Sequence, residues 1–185
     1  MRSENKVIAL CGFMFSGKTR TARLVAEKTG RHFYDLDLII ESKTGIKIFD
    51  IFTQYGEVRF RDLEYESLAE ILVKAENSHG KVIIALGGGT VVRGECLELL
   101  SKSALLIYLK ASFGEIVKRI SAAGEREIKS RPLAYEKDLK KLEKLYESRI
   151  NHYELSGLVI NCDKLTLHET AAEIIKAVAD EPADS

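Results

Sequence analysis

A glycine-rich segment directly after an apolar run constrains the fold of this chain most strongly. Residues 12–19 read GFMFSGKT, which fits G-x-x-x-x-G-K-[ST], and the apolar run before them spans residues 7–10. Glycines let the backbone curl until successive N–H groups face an anion, and the following helix directs its positive N-terminal end to the same point. The segment therefore predicts a phosphate-binding loop. A glycine-containing turn that binds nothing is the weaker alternative, because strand, spacing, lysine and threonine all agree.

Two side chains of this loop have specific predicted roles. Lys18 would reach the β- and γ-phosphates of a nucleotide, and the hydroxyl of Thr19 would face Mg²⁺. From Thr21 onward the apolar positions recur at helical spacing, which predicts a helix packed on the sheet.

Composition limits the size, location and partners of the molecule. The 185 residues are most simply one domain, large enough to bury a core without disulfides or a structural metal. Because 28 basic residues balance 28 acidic ones, no global charge attracts nucleic acid or an anionic membrane, and we expect neither as a partner. No apolar run approaches the ~20 residues of a membrane span, so we expect a cytoplasmic protein, and a monomer that binds small molecules. The widely spaced cysteines, Cys11, Cys96 and Cys162, are typical of reduced, packed thiols.

Continuous apolar runs alternate with helical stretches along the chain. Four runs lack the alternation of a half-exposed strand and are predicted to be strands covered on both faces; they span residues 7–10, 82–86, 104–109 and 158–160. A shorter fifth strand is predicted at residues 32–36. The helical stretches between them are long enough for crossovers, so we predict an α/β fold, a five-stranded parallel sheet with helices on both faces.

Two segments interrupt this alternation. Residues 121–131 contain a glycine, five charged residues and no apolar periodicity, and this pattern predicts a mobile lid that ends at Pro132. Residues 87–89 are three consecutive glycines at the carboxyl end of a predicted strand, where open α/β sheets bind their ligands. One glycine is enough for a tight turn, so three favour a ligand-facing loop over a plain turn.

Two aspartates follow the second predicted strand. Asp35 and Asp37 are one residue apart, so if the strand persists through both, their side chains start toward opposite sides and need not share a role. One carboxylate can hold the water shell of a metal, and the other can accept the proton of an attacking hydroxyl. An N-cap of the next helix is an equally good explanation for one of them.

Three arginines are candidates for anion binding. From spacing alone, Arg61 is better explained by an i,i+4 ion pair with Glu57 on a solvated helix face. Arg149 lies on an apolar helical stripe, which directs its guanidinium toward the core and demands an anionic partner, either a protein carboxylate or a ligand. Arg131 is either an exposed lid charge or an arginine that closes over a transferring phosphate.

Five blocks, in order, resemble the shikimate kinases, a family with the P-loop, nucleoside-monophosphate-kinase-like fold, and the resemblance covers nearly the whole chain. The blocks are residues 12–19, Asp35 and Asp37 with Glu41 and Gly45, residues 51–64, the glycines at 87–89, and Arg131-Pro132-Leu133 followed by Arg149. The phosphate loop alone is common to many NTPases. The Phe-Arg-x-x-Glu block and the triple glycine together are specific.

The resemblance implies transfer of the γ-phosphate of ATP to the 3-hydroxyl of shikimate, in aromatic amino-acid biosynthesis. It implies that Arg61 and Arg149 hold the shikimate carboxylate and Asp37 its hydroxyls, with backbone contacts from Gly88 and Gly89. Planar, paired guanidinium donors suit a carboxylate better than ammonium does. The implied substrate-binding helical region spans about residues 37–74.

The resemblance also assigns the nucleotide side of the site. It implies a catalytic set of Lys18, Asp37 and Arg131, and Mg²⁺ as cofactor beside Thr19 and Asp35. The ATP-binding residues that it implies are Gly12, Phe15, Ser16, Gly17, Lys18, Thr19, Arg20 and Arg131. The lid is expected at about residues 121–132, and the adenine pocket around residues 161–164.

The chain departs from the family pattern in its phosphate loop and its lid. Phe15 stands where the family usually has glycine, and a positive φ there would cost about 1–3 kcal/mol. Arg20 replaces the hydroxyl residue that usually follows the magnesium ligand. The lid is several residues longer than is typical.

Two alternatives stay open from the sequence. Another small-metabolite kinase of the same fold, such as a gluconate kinase, would share the phosphate loop, although the carboxylate-binding arginines favour shikimate. A catalytically silent nucleotide-binding relative would explain Phe15 and Arg20 as signs of decay. The retention of the charged residues argues against this second alternative.

Overall fold

A five-stranded parallel sheet organises the computed structural model, which describes residues 6–78, 80–124, 128 and 138–180. The strands are β1 (Val7–Cys11), β2 (His32–Asp35), β3 (Val82–Ala85), β4 (Leu105–Lys110) and β5 (Leu158–Asn161). Their order is β2-β3-β1-β4-β5, and every neighbouring pair is parallel. The order reverses beside β1, and in open α/β sheets ligands bind at the carboxyl ends of the strands at such a reversal.

Helices cover both faces of the sheet. They are α1 (Lys18–Thr29), α2 (Leu36–Thr44), α3 (Ile48–Asn77), α4 (Gly94–Ser103), α5 (Phe113–Ala122), α6 (Leu139–Tyr153) and α7 (Leu167–Asp180), with a short 3₁₀ turn at Thr90–Val92. The side chains of β1 alternate between two cores: Ala9 and Cys11 join apolar residues of α2 to α6, whereas Ile8 and Leu10 join those of α1 and α7. The predicted three-layer α/β fold is thereby confirmed.

The edge strand β5 differs from its prediction. All residues of β1 and β3 are buried, as expected for strands covered on both faces. In β5, by contrast, only Ile160 is buried, and Val159 is 44% exposed. The prediction that this strand is covered on both faces is therefore wrong. Three apolar residues cannot distinguish a central strand from an edge strand, because an edge strand also buries part of its surface.

The long helix α3 consists of two helical segments that meet at a kink. Gly56, at φ 79° and ψ 173°, interrupts the helical geometry and produces a kink. After the kink, Phe60, Leu68 and Ile71 are buried on one stripe, as the periodicity predicts. The buried stripe fixes the orientation of the helix segment that carries Arg61.

The segment predicted as a lid is described only at its start. Ser121 and Ala122 belong to α5, so the predicted lid boundary at 121 falls inside a helix. Residues 125–127 and 129–137 lie outside the described residues, and with them the predicted lid position of Arg131. In the described ranges, no helix combines the length and apolarity that crossing a membrane requires.

All three cysteines are buried and free, as predicted. Burial raises the pKa of Cys11 to about 12, against a smaller opposing effect of Lys18, and raises those of Cys96 and Cys162 to about 11. A raised thiol pKa lowers the thiolate fraction at pH 8.

We therefore expect Ellman's reagent at pH 8 to modify no thiol of the folded protein within minutes and three thiols in denaturant. Rapid modification without denaturant would contradict this burial.

Candidate active site

The phosphate loop curls at the carboxyl end of β1 through three residues with positive φ. These residues are Gly12 at 140°, Phe15 at 60° and Gly17 at 98°. A Cβ atom on Gly12 would lie 2.7 Å from the Leu109 carbonyl oxygen, so the close approach of the loop to β4 requires glycine. The curl that the sequence predicts is thus present, and it ends at the N-terminus of α1.

Phe15, which stands where the family pattern usually has glycine, adopts a positive φ. It is the one non-glycine residue with positive φ among the residues that the structure describes. This conformation costs about 1–3 kcal/mol for a side chain without local polar groups. The residue is only 9% exposed and packs in the core, so burial of the phenyl ring offsets part of the strain.

Lys18 lies over the loop as the first residue of α1. Its Nζ donates hydrogen bonds of 2.9 Å to the carbonyl oxygens of Gly12 and Phe13, and the residue is 7% exposed. Phe13 in turn packs edge-on against Tyr146 of α6 with ring centroids 5.3 Å apart. The loop is therefore held between its own lysine and the helix that carries Arg149.

Asp35 caps α2 and also accepts a hydrogen bond from Thr19. Its Oδ1 accepts a hydrogen bond from the Leu38 N–H at 3.1 Å, which makes it the N-cap of α2. Its Oδ2 accepts a hydrogen bond from Thr19 Oγ1 at 2.7 Å. The strand ends at this cap and does not persist to Asp37, which lies in the first turn of α2.

The triple-glycine loop, residues 87–89, lies close both to the phosphate loop and to Asp37 in the first turn of α2. A Cβ atom on Gly87 would lie 2.5 Å from Glu64 Oε1 and 3.0 Å from Asp37 Oδ1. A Cβ atom on Gly88 would lie 3.6 Å from the Met14 nitrogen. The segment also forms a turn, because the Val92 N–H donates to the Gly89 carbonyl at 3.1 Å. The triple-glycine loop is therefore both a turn and a segment that side chains approach closely.

Arg61 packs its guanidinium directly on this loop. A Cβ atom on Gly89 would lie 2.5 Å from Arg61 Nη2. The predicted i,i+4 pair is present, since Nη2 lies 2.9 Å from Glu57 Oε1, and Nη1 forms a second pair with Glu64. Burial opposes the charge of Arg61, but the two carboxylates outweigh it and raise its pKa. The guanidinium is therefore charged, fixed in orientation and adjacent to glycine.

Arg149, carried by α6, contacts the same loop. Its Nη1 donates a hydrogen bond of 3.2 Å to the Gly88 carbonyl, which also accepts from the hydroxyl of the fully buried Tyr153. Burial raises the pKa of Tyr153, so this hydroxyl keeps its proton and can donate. The stripe position therefore correctly predicts an inward guanidinium, although the group that accepts its hydrogen bond is a carbonyl oxygen and not a carboxylate.

The remaining residues are those predicted to bind the nucleotide. Ser16 is buried in the loop, and Arg20 is exposed on α1, where it lines a cavity of about 270 Å³ together with Thr19. In the predicted adenine region, the Asp163 N–H donates to Asn161 Oδ1 at 3.1 Å. Arg131 lies outside the described residues.

Sequence reasoning assigned no role to three residues that support the site, although one of them, Glu64, belongs to the Phe-Arg-x-x-Glu block. Glu64 is 1% exposed, pairs with Arg61 and accepts a hydrogen bond from Thr90 Oγ1 at 2.7 Å. Its i+3 spacing from Arg61 is a readable signal of an ion pair. Thr90 and the loop contacts of Arg119 have no such local signal, because their partners are distant in the sequence.

The parallel sheet, the curled loop at its reversal point and the helix that begins at Lys18 define a P-loop kinase fold. A family model described as shikimate kinase matches residues 14–179. The chain belongs to the shikimate kinase family, and it is accordingly a kinase, a transferase of phosphoryl groups.

Relatives of nearly the same length support this membership. The shikimate kinase of Thermodesulfovibrio yellowstonii is 37% identical over 171 residues, which cover 92% of this chain and 94% of that relative. The shikimate kinase of Dictyoglomus turgidum is 34% identical over 182 residues, which cover 98% and 100%. The structure of the Acinetobacter baumannii shikimate kinase in complex with shikimate has a TM-score of 0.84 at 30% identity, covering 96% of this chain and 95% of that one.

Proposed function

We propose that this chain transfers the γ-phosphate of ATP to the 3-hydroxyl of shikimate, as a single domain whose helical region at residues 37–74 binds the acceptor. The proposal rests on one observation: the phosphate loop, Arg61 and Arg149 all contact the triple-glycine loop at residues 87–89. Gly88 lies beside the phosphate loop at Met14, its carbonyl accepts from Arg149, and its neighbour Gly89 packs on Arg61. The predicted phosphate-binding loop and two guanidinium groups therefore meet at the triple-glycine loop.

The acceptor side has the chemistry of carboxylate recognition. Arg61 and Arg149 present planar donors to the triple-glycine loop from two helices, and such donors match a carboxylate in geometry and charge. The Glu64 and Glu57 carboxylates hold Arg61 in place. The Asp37 carboxylate closely approaches the same loop at Gly87, and from there it can orient the acceptor hydroxyl and take its proton.

The nucleotide side fits a magnesium–ATP complex. Thr19 Oγ1 and Asp35 Oδ2 lie 2.7 Å apart, and hydroxyl and carboxylate oxygens are suitable partners for Mg²⁺ and its water shell. Bound magnesium would neutralise charge on the β- and γ-phosphates. Lys18 would turn from the loop carbonyls to the same phosphates, and the loop N–H groups would hold their oxygens. Arg131 would approach the transferred group from the lid.

A product analysis tests this proposal. We expect ³¹P and ¹H NMR of a mixture with ATP, magnesium and shikimate to give ADP and a phosphate ester at carbon 3 of shikimate. Gluconate in place of shikimate should give no ester above background. Transfer to gluconate instead would support a different small-metabolite kinase, and absence of any ester with bound ATP would support a catalytically silent relative.

A methyl group on Gly89 provides a sharp test of the acceptor site. In Gly89→Ala, the new Cβ would lie 2.5 Å from Arg61 Nη2 and must displace the guanidinium, which is the flexible end of a side chain. We expect the KM for shikimate to rise about tenfold, since a displacement of this size disturbs substrate positioning. The KM for ATP should change little, and the melting temperature should fall, because displacement of the guanidinium weakens its ion pair with the buried Glu64.

Gly94→Ala is the matched control, because a Cβ on Gly94 meets nothing within 4 Å. It should leave both KM values unchanged. An unchanged KM for shikimate in Gly89→Ala would contradict the proposed role of Arg61.

A further inference from the structure

We propose that Arg93 is a positioning residue of the acceptor site, because it ties the helix that carries Arg61 to the segment that follows the triple-glycine loop. The proposal rests on the proposed function, since it concerns the same acceptor site. It assigns to Arg93 control over the placement of Arg61 on this loop, and the affinity for the acceptor carboxylate follows from that placement.

The Arg93 guanidinium joins two segments of the chain. Its Nη1 donates to Asp62 Oδ1 of α3 at 2.9 Å, and its Nε donates to Glu95 Oε2, in the first turn of α4, at 2.7 Å. Its central carbon also lies 5.3 Å from the ring centroid of Tyr65 on α3. The side chain is 26% exposed. The planar fork of an arginine serves these separate partners together, whereas an ammonium is a compact point charge.

A second connection joins the same two segments in the buried interior. Thr90 Oγ1 donates to Glu64 Oε1 at 2.7 Å, and Glu64 is 1% exposed. The other carboxylate oxygen of Glu64 pairs with Arg61. One such hydrogen bond leaves the helix free to rotate about that point, and a second connection at a distance removes this rotation. Arg93 provides the second connection.

The Arg93 contact is made beside the residue that it positions. Asp62 follows Arg61 directly in α3. A Cβ atom on Gly89 would lie 2.5 Å from Arg61 Nη2, so the guanidinium packs on glycine backbone, and a small rotation of α3 alters this contact. Without Arg93, the helix turn can swing relative to the loop and present Arg61 to the acceptor carboxylate in a less favourable geometry. We therefore expect weaker acceptor binding and unchanged nucleotide binding.

A double-mutant cycle tests the proposal. Arg93→Ala, Asp62→Ala and the double variant are prepared, and the KM for shikimate and for ATP is measured in each. We expect the KM for shikimate to rise about fivefold in Arg93→Ala, a factor that corresponds to about 1 kcal/mol, with the KM for ATP within a factor of about two. The double variant should equal Arg93→Ala, because both lack the same ion pair. A role in stability alone would lower the melting temperature and leave the KM for shikimate unchanged.

Arg59→Ala is the matched control. Arg59 Nη1 lies 3.5 Å from Glu66 Oε1 on the same helix, but its side chain is 50% exposed and this pair stays within α3. Its loss removes an equal charge without a contact to the loop segment, so both KM values should equal those of the natural chain. Should Arg93→Ala fail to fold, Arg93→Gln replaces it, because glutamine keeps a polar side chain and removes the charge.

A measurement without substrate separates this proposal from the proposed function. Arg61 Nε donates to Glu57 Oε1 at 3.2 Å, so exchange of its Hε with water reports how firmly the guanidinium is held. This exchange is measured by ¹⁵N-resolved NMR, with the signal assigned from its absence in Arg61→Lys. We expect exchange about threefold faster in Arg93→Ala than in the natural chain.

Equal exchange rates in the two chains would overturn the proposal. An unchanged KM for shikimate in Arg93→Ala, or additive increases in the cycle, would also overturn it. If shikimate fails to stimulate turnover of the natural chain while Arg61 becomes more mobile in Arg93→Ala, only the acceptor assignment is overturned.

Discussion

Replacing Lys18 by alanine is expected to reduce kcat about 10³-fold while the protein stays folded. Its ammonium is buried against the loop, 2.9 Å from the Gly12 and Phe13 carbonyls, and can move from there to the β- and γ-phosphates. Preorganised charge at the transferring group stabilises the transition state more than the ground state, and removal of one such donor costs about 10²–10³ or more in rate. The measurement is ADP release at saturating ATP and shikimate, with circular dichroism for the fold.

Lys28→Ala is the control for this prediction. Lys28 lies in the last turn of the same helix and is exposed, so its loss removes an equal charge far from the loop. Its kcat should equal that of the natural chain. A Lys18→Ala variant with full activity would contradict the assignment of residues 12–19 as the phosphate-binding loop.

Replacing Arg149 by alanine is expected to raise the KM for shikimate about 100-fold and to leave the KM for ATP within a factor of about two. The half-buried guanidinium is carried by α6 and is oriented by its hydrogen bond to the Gly88 carbonyl of the triple-glycine loop. Its loss removes a charge-assisted donor to the acceptor carboxylate and leaves the phosphate loop untouched. Initial rates with each substrate varied in turn provide both constants.

Lys144→Ala controls for a general effect of charge on α6, since Lys144 is exposed on the same helix. Its two KM values should be those of the natural chain. Equal increases of both KM values in Arg149→Ala would contradict a role confined to the acceptor.

The sequence predicts the parts of this fold that depend on local physics. The curl at residues 12–19 follows from glycine spacing, the buried central strands from continuous apolar runs, and the N-cap at Asp35 from the known preference of helix starts. The inward direction of Arg149 follows from its place on an apolar stripe. Each of these features is decided by neighbours within a few residues along the chain.

The features that the sequence does not predict depend on contacts between distant segments. Thr90 meets Glu64 across 26 positions, and Arg119 meets the Ser16 carbonyl across 103. No periodicity encodes such pairs, because they exist only after the sheet has brought its loops to one edge. The exposure of β5 also depends on contacts between distant segments, because it follows from the position of β5 at the edge of the sheet. The role of Arg131 stays a prediction.

We propose that one site holds the terminal phosphates of ATP and a small ring acid in line for transfer. The initial rate of ADP release with magnesium and ATP, measured with and without shikimate, tests this arrangement. We expect a rate that rises with shikimate to saturation and a background near zero in its absence. A well-folded sample that binds ATP but releases ADP at the same rate with and without shikimate would contradict it.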